Sequence, residues 1–402
     1  MDFTMLGLQP RLVATLERHG ISEPTPIQEK AIPLAIEGRD VMGLAQTGTG
    51  KTAAFGLPLI QSLAKIGAKP RPKSAHSLIL APTRELAKQI FETLRGFTKG
   101  THLKSGLVVG GAGLHGQIKM LHNGVDLLVA TPGRLIDLLD RKAVRLDESH
   151  FLVLDEADQM LDLGFIHALR RIAPLLPADR QTMLFSATMP KQMAELSAAY
   201  LNDPVRVEAA PPGKPAERVE QELHFVEQAR KTTLLTECLS RHHGERAIVF
   251  CRTKHGAERL MKALVTAGFE AGSVHGNKSQ GQRDRAIKAF KQATMKVLVA
   301  TDVAARGLDI PDVGFVYNYD LPNVPDNYIH RIGRTARAGR SGKAIAFCAP
   351  GEMMELKSIQ KTMGTPIAVA SGSAWETRPA KAPAPAKHRR RRPRNGQRRR
   401  AA

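Results

Sequence analysis

Between residues 39 and 207, short apolar runs at 40–44, 77–80, 107–109, 126–129, 151–154 and 182–185 alternate with stretches whose apolar positions return every three or four residues. Short apolar runs read as strands buried on both faces, and strands alternating with amphipathic helices build a parallel sheet wrapped by helices. The pattern stops at 209–215, Ala-Ala-Pro-Pro-Gly-Lys-Pro, where proline removes backbone donors and glycine adds freedom. A second series follows, with strand candidates at 223–226, 247–250, 272–274, 297–300, 313–317 and 344–348. The expectation is α/β throughout: a domain over 1–208, a linker over 209–217, a second domain over 218–365 and a tail over 366–402. Regular periodicity fades after about Met363.

Chemistry enters at two strand ends. The first strand runs into Ala45-Gln46-Thr47-Gly48-Thr49-Gly50-Lys51-Thr52, and a helix with Phe55, Leu59 and Leu63 on one side follows. Strand, glycine-rich turn and helix in that order make a phosphate cradle. Gly48 and Gly50 let backbone N–H groups converge, Lys51 can reach the β- and γ-phosphates, and Thr52 can ligate Mg²⁺. Ala45 replaces the first glycine of the strict pattern, a position that needs only a small residue. The second strand end is Phe151-Leu152-Val153-Leu154 followed by Asp155-Glu156-Ala157-Asp158. Asp155 is placed to hold Mg²⁺ and Glu156 to orient or deprotonate an attacking water. Each half alone has a bland reading, a chance loop match or a solvated helix cap. Together they point to ATP hydrolysis.

Charge and composition add a partner class. The chain of 402 residues carries a formal net charge of +21, with 42% hydrophobic and 24% charged residues, the balance of a soluble globular protein. Residues 371–402 hold eleven Lys and Arg against the single Glu376, about half of the whole excess. An Ala/Pro/Lys run with Arg clusters cannot bury apolar surface, so this tail is expected to be disordered and drawn to polyphosphate. The opening Met1-Asp2-Phe3-Thr4-Met5-Leu6 has neither a basic start nor a long apolar stretch, and a cytoplasmic address is the expectation. Three cysteines, Cys238, Cys251 and Cys348, show no metal-ligand spacing and read as reduced and structural.

On these residues the chain resembles the DEAD-box family of RNA helicases, which implies two RecA-like domains. The acidic signature at 155–158 is letter for letter, and Gly20-Ile21-Ser22-Glu23-Pro24-Thr25-Pro26-Ile27-Gln28 resembles the Q motif. That likeness implies that Gln28 reads the adenine edge and Phe3 stacks on the base. Residues 82–87, Gly110-Gly111 and 131–134 resemble the RNA contacts of the first domain, and Ser186-Ala187-Thr188 the element coupling hydrolysis to strand separation. The second domain continues with 249–253, 280–283, 300–309 and 330–337. The resemblance covers Phe3 to about residue 350. The short N-terminus, compact core and basic tail are most similar to the bacterial RhlE-type subgroup.

What the resemblance implies for function follows residue by residue. Arg334 and Arg337, three apart and so expected on one helix face, are the candidates for cations delivered to the transferring phosphoryl group. Asp309 is the implied ribose contact, and Ser186, Thr188, Asp302 and His330 the coupling network. RNA would be held through its phosphates and sugars by Thr83, Arg84, Gly110, Gly111, Thr131, Gly133, Arg134, Arg252, Arg283 and Thr301, with little sequence preference. Aromatic content of only 4% disfavours a base-stacking reader of single strands. Ala336 stands where many members have glycine and is expected to take ordinary non-glycine backbone angles. The activity implied is an ATP-dependent RNA helicase whose domains close on a single strand. The alternatives are an ATP-gated RNA clamp with little unwinding and, more distantly, a DNA translocase. Ribosomal or RNA-degradation assemblies are implied partners by analogy alone.

Overall fold

The computed structural model describes residues 2–45, 48–189, 191–208, 219–305, 313–336 and 341–375. Its first sheet contains β1 (Val41–Leu44), β2 (Ala75–Leu80), β3 (Ser105–Val108), β4 (Val125–Ala130), β5 (Phe151–Leu154), β6 (Gln181–Ser186) and β7 (Val205–Glu208). The second contains β8 (Val219–Phe225), β9 (Ala247–Phe250), β10 (Ala271–Val274), β11 (Val297–Ala300), β12 (Phe315–Asn318), β13 (Gly342–Cys348) and β14 (Ala368–Ser371). The spatial orders are β3-β4-β2-β5-β6-β1-β7 and β10-β11-β9-β12-β13-β8-β14. Every pairing is parallel, and the two orders are the same order used twice. The tandem α/β expectation holds.

Two-sided burial explains the unbroken apolar strands. In β5, Val153 packs into one core cluster while Leu152 and Leu154 pack into the cluster on the opposite face. In β9, Ala247 and Val249 face one side and Ile248 and Phe250 the other. Period-two alternation thus feeds two apolar layers, so no polar face marks the strand. The helix Lys51–Leu63 buries Phe55, Leu59 and Leu63 in the first layer, as its spacing predicts. The three cysteine thiols are buried, and burial raises each of them.

Two strands were hidden from the pattern. β7 and β14 are the corresponding edges of the two sheets, each pairing with the first strand of its domain. β14 is Ala-Val-Ala-Ser with all four residues exposed, so it carries no core signature and is held by backbone pairing. The second domain therefore runs past the expected limit at 365: Ile367 is buried, and the Trp375 indole N–H donates to the Cys348 carbonyl at 3.1 Å. β8 begins at Val219 instead of 223, its entry masked by Glu220, Gln221 and Glu222. The expected linker and the basic tail from 376 onward lie outside the described residues.

Candidate functional site

All the phosphate-loop chemistry sits at the C-terminal ends of β1, β5 and β6, the edge where open α/β sheets bind ligands. Ala45, buried at the end of β1, donates its N–H to the Ser186 carbonyl at 2.9 Å. The loop then turns through Gly48 and Gly50 at φ of 88° and 89°. Glycine is required at 50 twice over, because a Cβ there would lie 2.4 Å from Gln28 Nε2. Gln28 is 3% exposed; its Oε1 accepts from Thr25 N at 2.9 Å and its Nε2 donates to Gly50 O at 3.0 Å. Thr25 Oγ1 donates to Thr49 O at 2.8 Å. The amide that the Q-motif likeness assigns to adenine thus also holds the phosphate loop. Phe3 is only 2% exposed and belongs to the apolar cluster of Leu6, Leu8 and Leu12. In this conformation its ring packs in the core and offers no open stacking face, which corrects the expectation. Gln46 and Thr47 lie outside the described residues.

Lys51 opens the following helix with Thr52 next to it, and Lys51 Nζ lies 3.6 Å from Asp155 Oδ1, both side chains about 5% exposed or less. That ammonium has no hydrogen-bond partner among the described residues. A buried lysine and carboxylate held short of hydrogen-bond contact, beside a left-handed glycine turn, fit a phosphate chain and its cation. Burial drives the Asp155 carboxyl up to about 6, with Lys51 pulling down and Glu156 pushing up. Glu156 stands at φ 53°, a left-handed conformation unusual for a non-glycine residue. Such backbone strain, of order 1–3 kcal/mol, is concentrated at functional turns, and here it lies on the expected water-activating carboxylate.

Asp158 was not singled out by the sequence, yet it joins the parts. Its Oδ2 accepts from Ala187 N at 3.1 Å, Thr188 N at 2.9 Å and Thr188 Oγ1 at 2.9 Å. His330 of the second domain stands 3.9 Å from the same oxygen. Ser186 Oγ donates to Thr188 O at 2.7 Å, tightening the turn. One carboxylate therefore meets the coupling element and the other domain at once.

A second junction lies further along the cleft. Arg283 pairs with Glu85 at 2.9 Å, Arg84 donates to Gln280 Oε1 at 3.1 Å, and Gln280 Nε2 donates to Glu85 Oε1 at 3.2 Å. The Arg84 guanidinium lies over Gly110 and Gly111, where a Cβ would approach to 3.0 and 2.3 Å, and Gly111 also stands at φ 76°, so glycine is favoured most at 111. A groove of about 420 Å³ here is lined by Thr83, Arg84, Gly110, Thr131, Gly133 and Arg134 from the first domain and Arg283 from the second.

The first domain matches the family model described as DEAD/DEAH box helicase over residues 25–196, and the second matches the helicase conserved C-terminal domain over 230–339. The chain is 42% identical over 374 residues to the ATP-dependent RNA helicase CshA of Listeria monocytogenes, covering 93% of this chain and 71% of that one. It belongs to the DEAD-box RNA helicases. Among solved structures, Dbp5 of S. cerevisiae bound to RNA and ADP-BeF3 aligns with a TM-score of 0.82 at 34% identity, over 92% of this chain and 94% of that one. A Dbp5 variant from the same yeast, bound to Nup159, Gle1, IP6 and ADP, aligns at 0.61 and 32% identity, over 90% and 95%.

The helicase hydrolyses ATP in an RNA-dependent reaction, and in this structure several of the expected site residues have partners within their own domain. Arg252 does not line the groove: its Nη2 donates to Leu321 O at 2.9 Å and Glu352 Oε1 at 3.0 Å, beside a separate cavity. Asp302 faces its own domain, gripped by Arg331, whose Nη2 donates to Asp302 Oδ2 at 2.8 Å. Thr301 is buried at the end of β11, its N–H donating to Val274 O at 3.3 Å. Arg334 lies beyond the helix Pro325–Ile332, so the one-face spacing argument for Arg334 and Arg337 fails; Gly333 ends that helix first. Arg337 and Asp309 lie outside the described residues.

Ala336 stands at φ 55°, against the expectation of ordinary angles. The hydroxyl of Thr335, the residue before this left-handed position, donates to Val313 O at 2.5 Å. Ala336→Gly should therefore stabilise the helicase by about 0.5–1 kcal/mol, read as a higher urea midpoint at unchanged slope. A lower midpoint would mean the methyl's packing outweighs its strain.

Proposed function

We propose that ATP and RNA together close the two domains of this helicase on a single strand, one duplex strand is excluded, and hydrolysis with phosphate release reopens the cleft. The observation that carries this reading is the pair of cross-domain junctions, Glu85 with Arg283 and Gln280, and Asp158 facing His330. At nearly equal identity, the TM-score falls from 0.82 for the RNA- and nucleotide-bound Dbp5 to 0.72 and 0.61 for two Gle1-bound forms, which supports a closed arrangement here. Lys51 and the loop N–H groups would bind the phosphates, and Thr52 and Asp155 would hold Mg²⁺, whose part is to neutralise charge on the phosphate oxygens. Glu156 orients the water and accepts its proton. The work takes place in the cytoplasm, and ribosomal or RNA-degradation assemblies are proposed as settings by family likeness.

A strand-displacement assay on a short RNA duplex with an overhang tests the proposal. ATP should release the strand from RNA, and a DNA duplex of the same sequence should stimulate neither release nor ATP turnover. RNA-stimulated turnover without displacement would instead make the protein a clamp; equal stimulation by DNA would overturn the substrate class.

Asp155 adds a pH signature. A carboxyl raised from 3.8 to about 6 contributes stability that is complete below 3.8 and lost as the pH rises through about 6. The stability of nucleotide-free wild type relative to Asp155→Asn should therefore decline between about pH 3.8 and 6 and level off above, measured by thermal unfolding of both proteins. Affinity for the divalent cation should rise over the same interval, since capture displaces the proton. A pH-independent difference would contradict the burial of the ionised group.

A further inference from the structure

The segment 275–279 joins β10 to the helix Gln280–Lys291, whose first turn carries Gln280 and Arg283 to the first domain. Gly276 and Asn277 in it are exposed, so its own residues do little to fix its course. Glu258, on the neighbouring helix Lys254–Thr266, grips the segment at both ends. Its Oε2 accepts from Ser273 Oγ at 2.8 Å and from His275 Nε2 at 2.9 Å, while Lys278 Nζ lies 3.1 Å from Oε1 and 2.9 Å from Oε2.

The donors are arranged for a carboxylate. Asn277 N–H donates to His275 Nδ1 at 3.3 Å, which leaves Nε2 to carry the proton that Glu258 receives. Hydrogen bonds from His275 first and Lys278 second pull the Glu258 carboxyl down to about 2. His275 is buried, and Lys278 N donates to His275 O at 3.0 Å, closing the turn. Ser279 then caps the helix: its Oγ accepts from Gln282 N at 3.4 Å, and Gln282 Oε1 accepts from Ser279 N at 2.9 Å. Gln280 comes directly after this cap, so a shift of the turn passes straight to the contacts of 2.9, 3.1 and 3.2 Å that Arg283 and Gln280 make with Glu85 and Arg84.

We propose that Glu258 is a positioning residue for RNA-coupled domain closure: by holding the turn at 275–279 it sets the start of the helix Gln280–Lys291, so that Gln280 and Arg283 meet Glu85 and Arg84 of the first domain. The proposal rests on the closure reading, because these cross-domain contacts count only when the two domains meet. Ser273, His275 and Lys278 all belong to the second domain, so Glu258 acts through the turn and not on the first domain directly. A misplaced helix start weakens the closed arrangement and leaves the phosphate loop and the acidic strand end of the first domain as they are. More RNA is then needed to populate the closed state, while turnover within that state is kept.

ATP turnover of the full-length protein, measured across a range of oligouridylate concentrations, is the test. Glu258→Gln keeps the shape of the side chain and exchanges one acceptor oxygen for a donor. It should raise the KM for RNA about fivefold or more, with turnover at saturating RNA within about twofold of wild type. Arg283→Ala should raise the same KM at least as far. In the Arg283→Ala background, Glu258→Gln should add less than about twofold, because the contact it positions is already gone. An unchanged KM in Glu258→Gln, a turnover number that falls as far as the KM rises, or effects that multiply in the double variant overturns the proposal while the closure reading stands. An unchanged KM in Arg283→Ala overturns both, since the junction itself would then carry no closure.

Discussion

Lys51→Ala should cut RNA-stimulated ATP turnover by about 10²–10³ while leaving nucleotide-free RNA binding near wild type. The lysine is 6% exposed, its ammonium makes no hydrogen bond among the described residues, and its nearest charge is Asp155 at 3.6 Å. A buried cation in that state is held ready for an anion, and the protein has already borne the desolvation cost. Its removal takes away stabilisation of the phosphate oxygens during transfer and leaves Asp155 buried without a counter-charge, which drives that carboxyl further toward protonation. Lys51→Arg should fail almost as badly, because a planar guanidinium does not fit the space of an ammonium. Single-turnover hydrolysis with saturating RNA is the measurement. Retention of a tenth of the wild-type rate in Lys51→Ala would remove this residue from the reaction centre.

Arg334→Ala should lower the turnover number by about 10³–10⁵ with ATP binding changed only a few-fold. Arg334 is 4% exposed and its Nε donates to His330 O at 3.2 Å, so it travels with the residue that faces Asp158 across the cleft. A cation carried by the second domain reaches the phosphate only when the domains are together. Its loss should therefore strike the chemical step and spare the ground state. A matching collapse in ATP affinity would make Arg334 an ordinary nucleotide contact and weaken the case for domain closure.

The sequence made the sheets legible because both faces of each are covered: strands such as β5 and β9 are nearly pure apolar runs bounded by turns. The edge strands β7 and β14 escaped because an edge has little to bury, and β14 buries none of its side chains. At the site, Lys51, Asp155 and Glu156 were readable from loop spacing and a strand end, since local chain geometry alone brings such groups together. Asp158, Glu85 and Gln280 matter through contacts that cross the cleft, and no local period encodes those. Their signal lay in belonging to the stretches 82–87, 155–158 and 280–283 that carry the family likeness, without a role for each residue. The same limit bears on Arg252 and Asp302: the family likeness assigned them to RNA and the coupling network, and Glu352 and Arg331, distant in sequence, hold them in this structure.

The placement of β1 also bears on how the chain is made. β1 lies between β6 and β7, pairing Val41 with Met183 on one side and with Val205 on the other. The strand that launches the phosphate loop thus leaves the ribosome about 160 residues before its second neighbour, roughly 8–30 s at ordinary elongation rates. Throughout that interval its ladder groups stand open to water or to a chaperone. Completion of the first sheet is therefore a late event in translation of the first half, set by the arrival of Glu208.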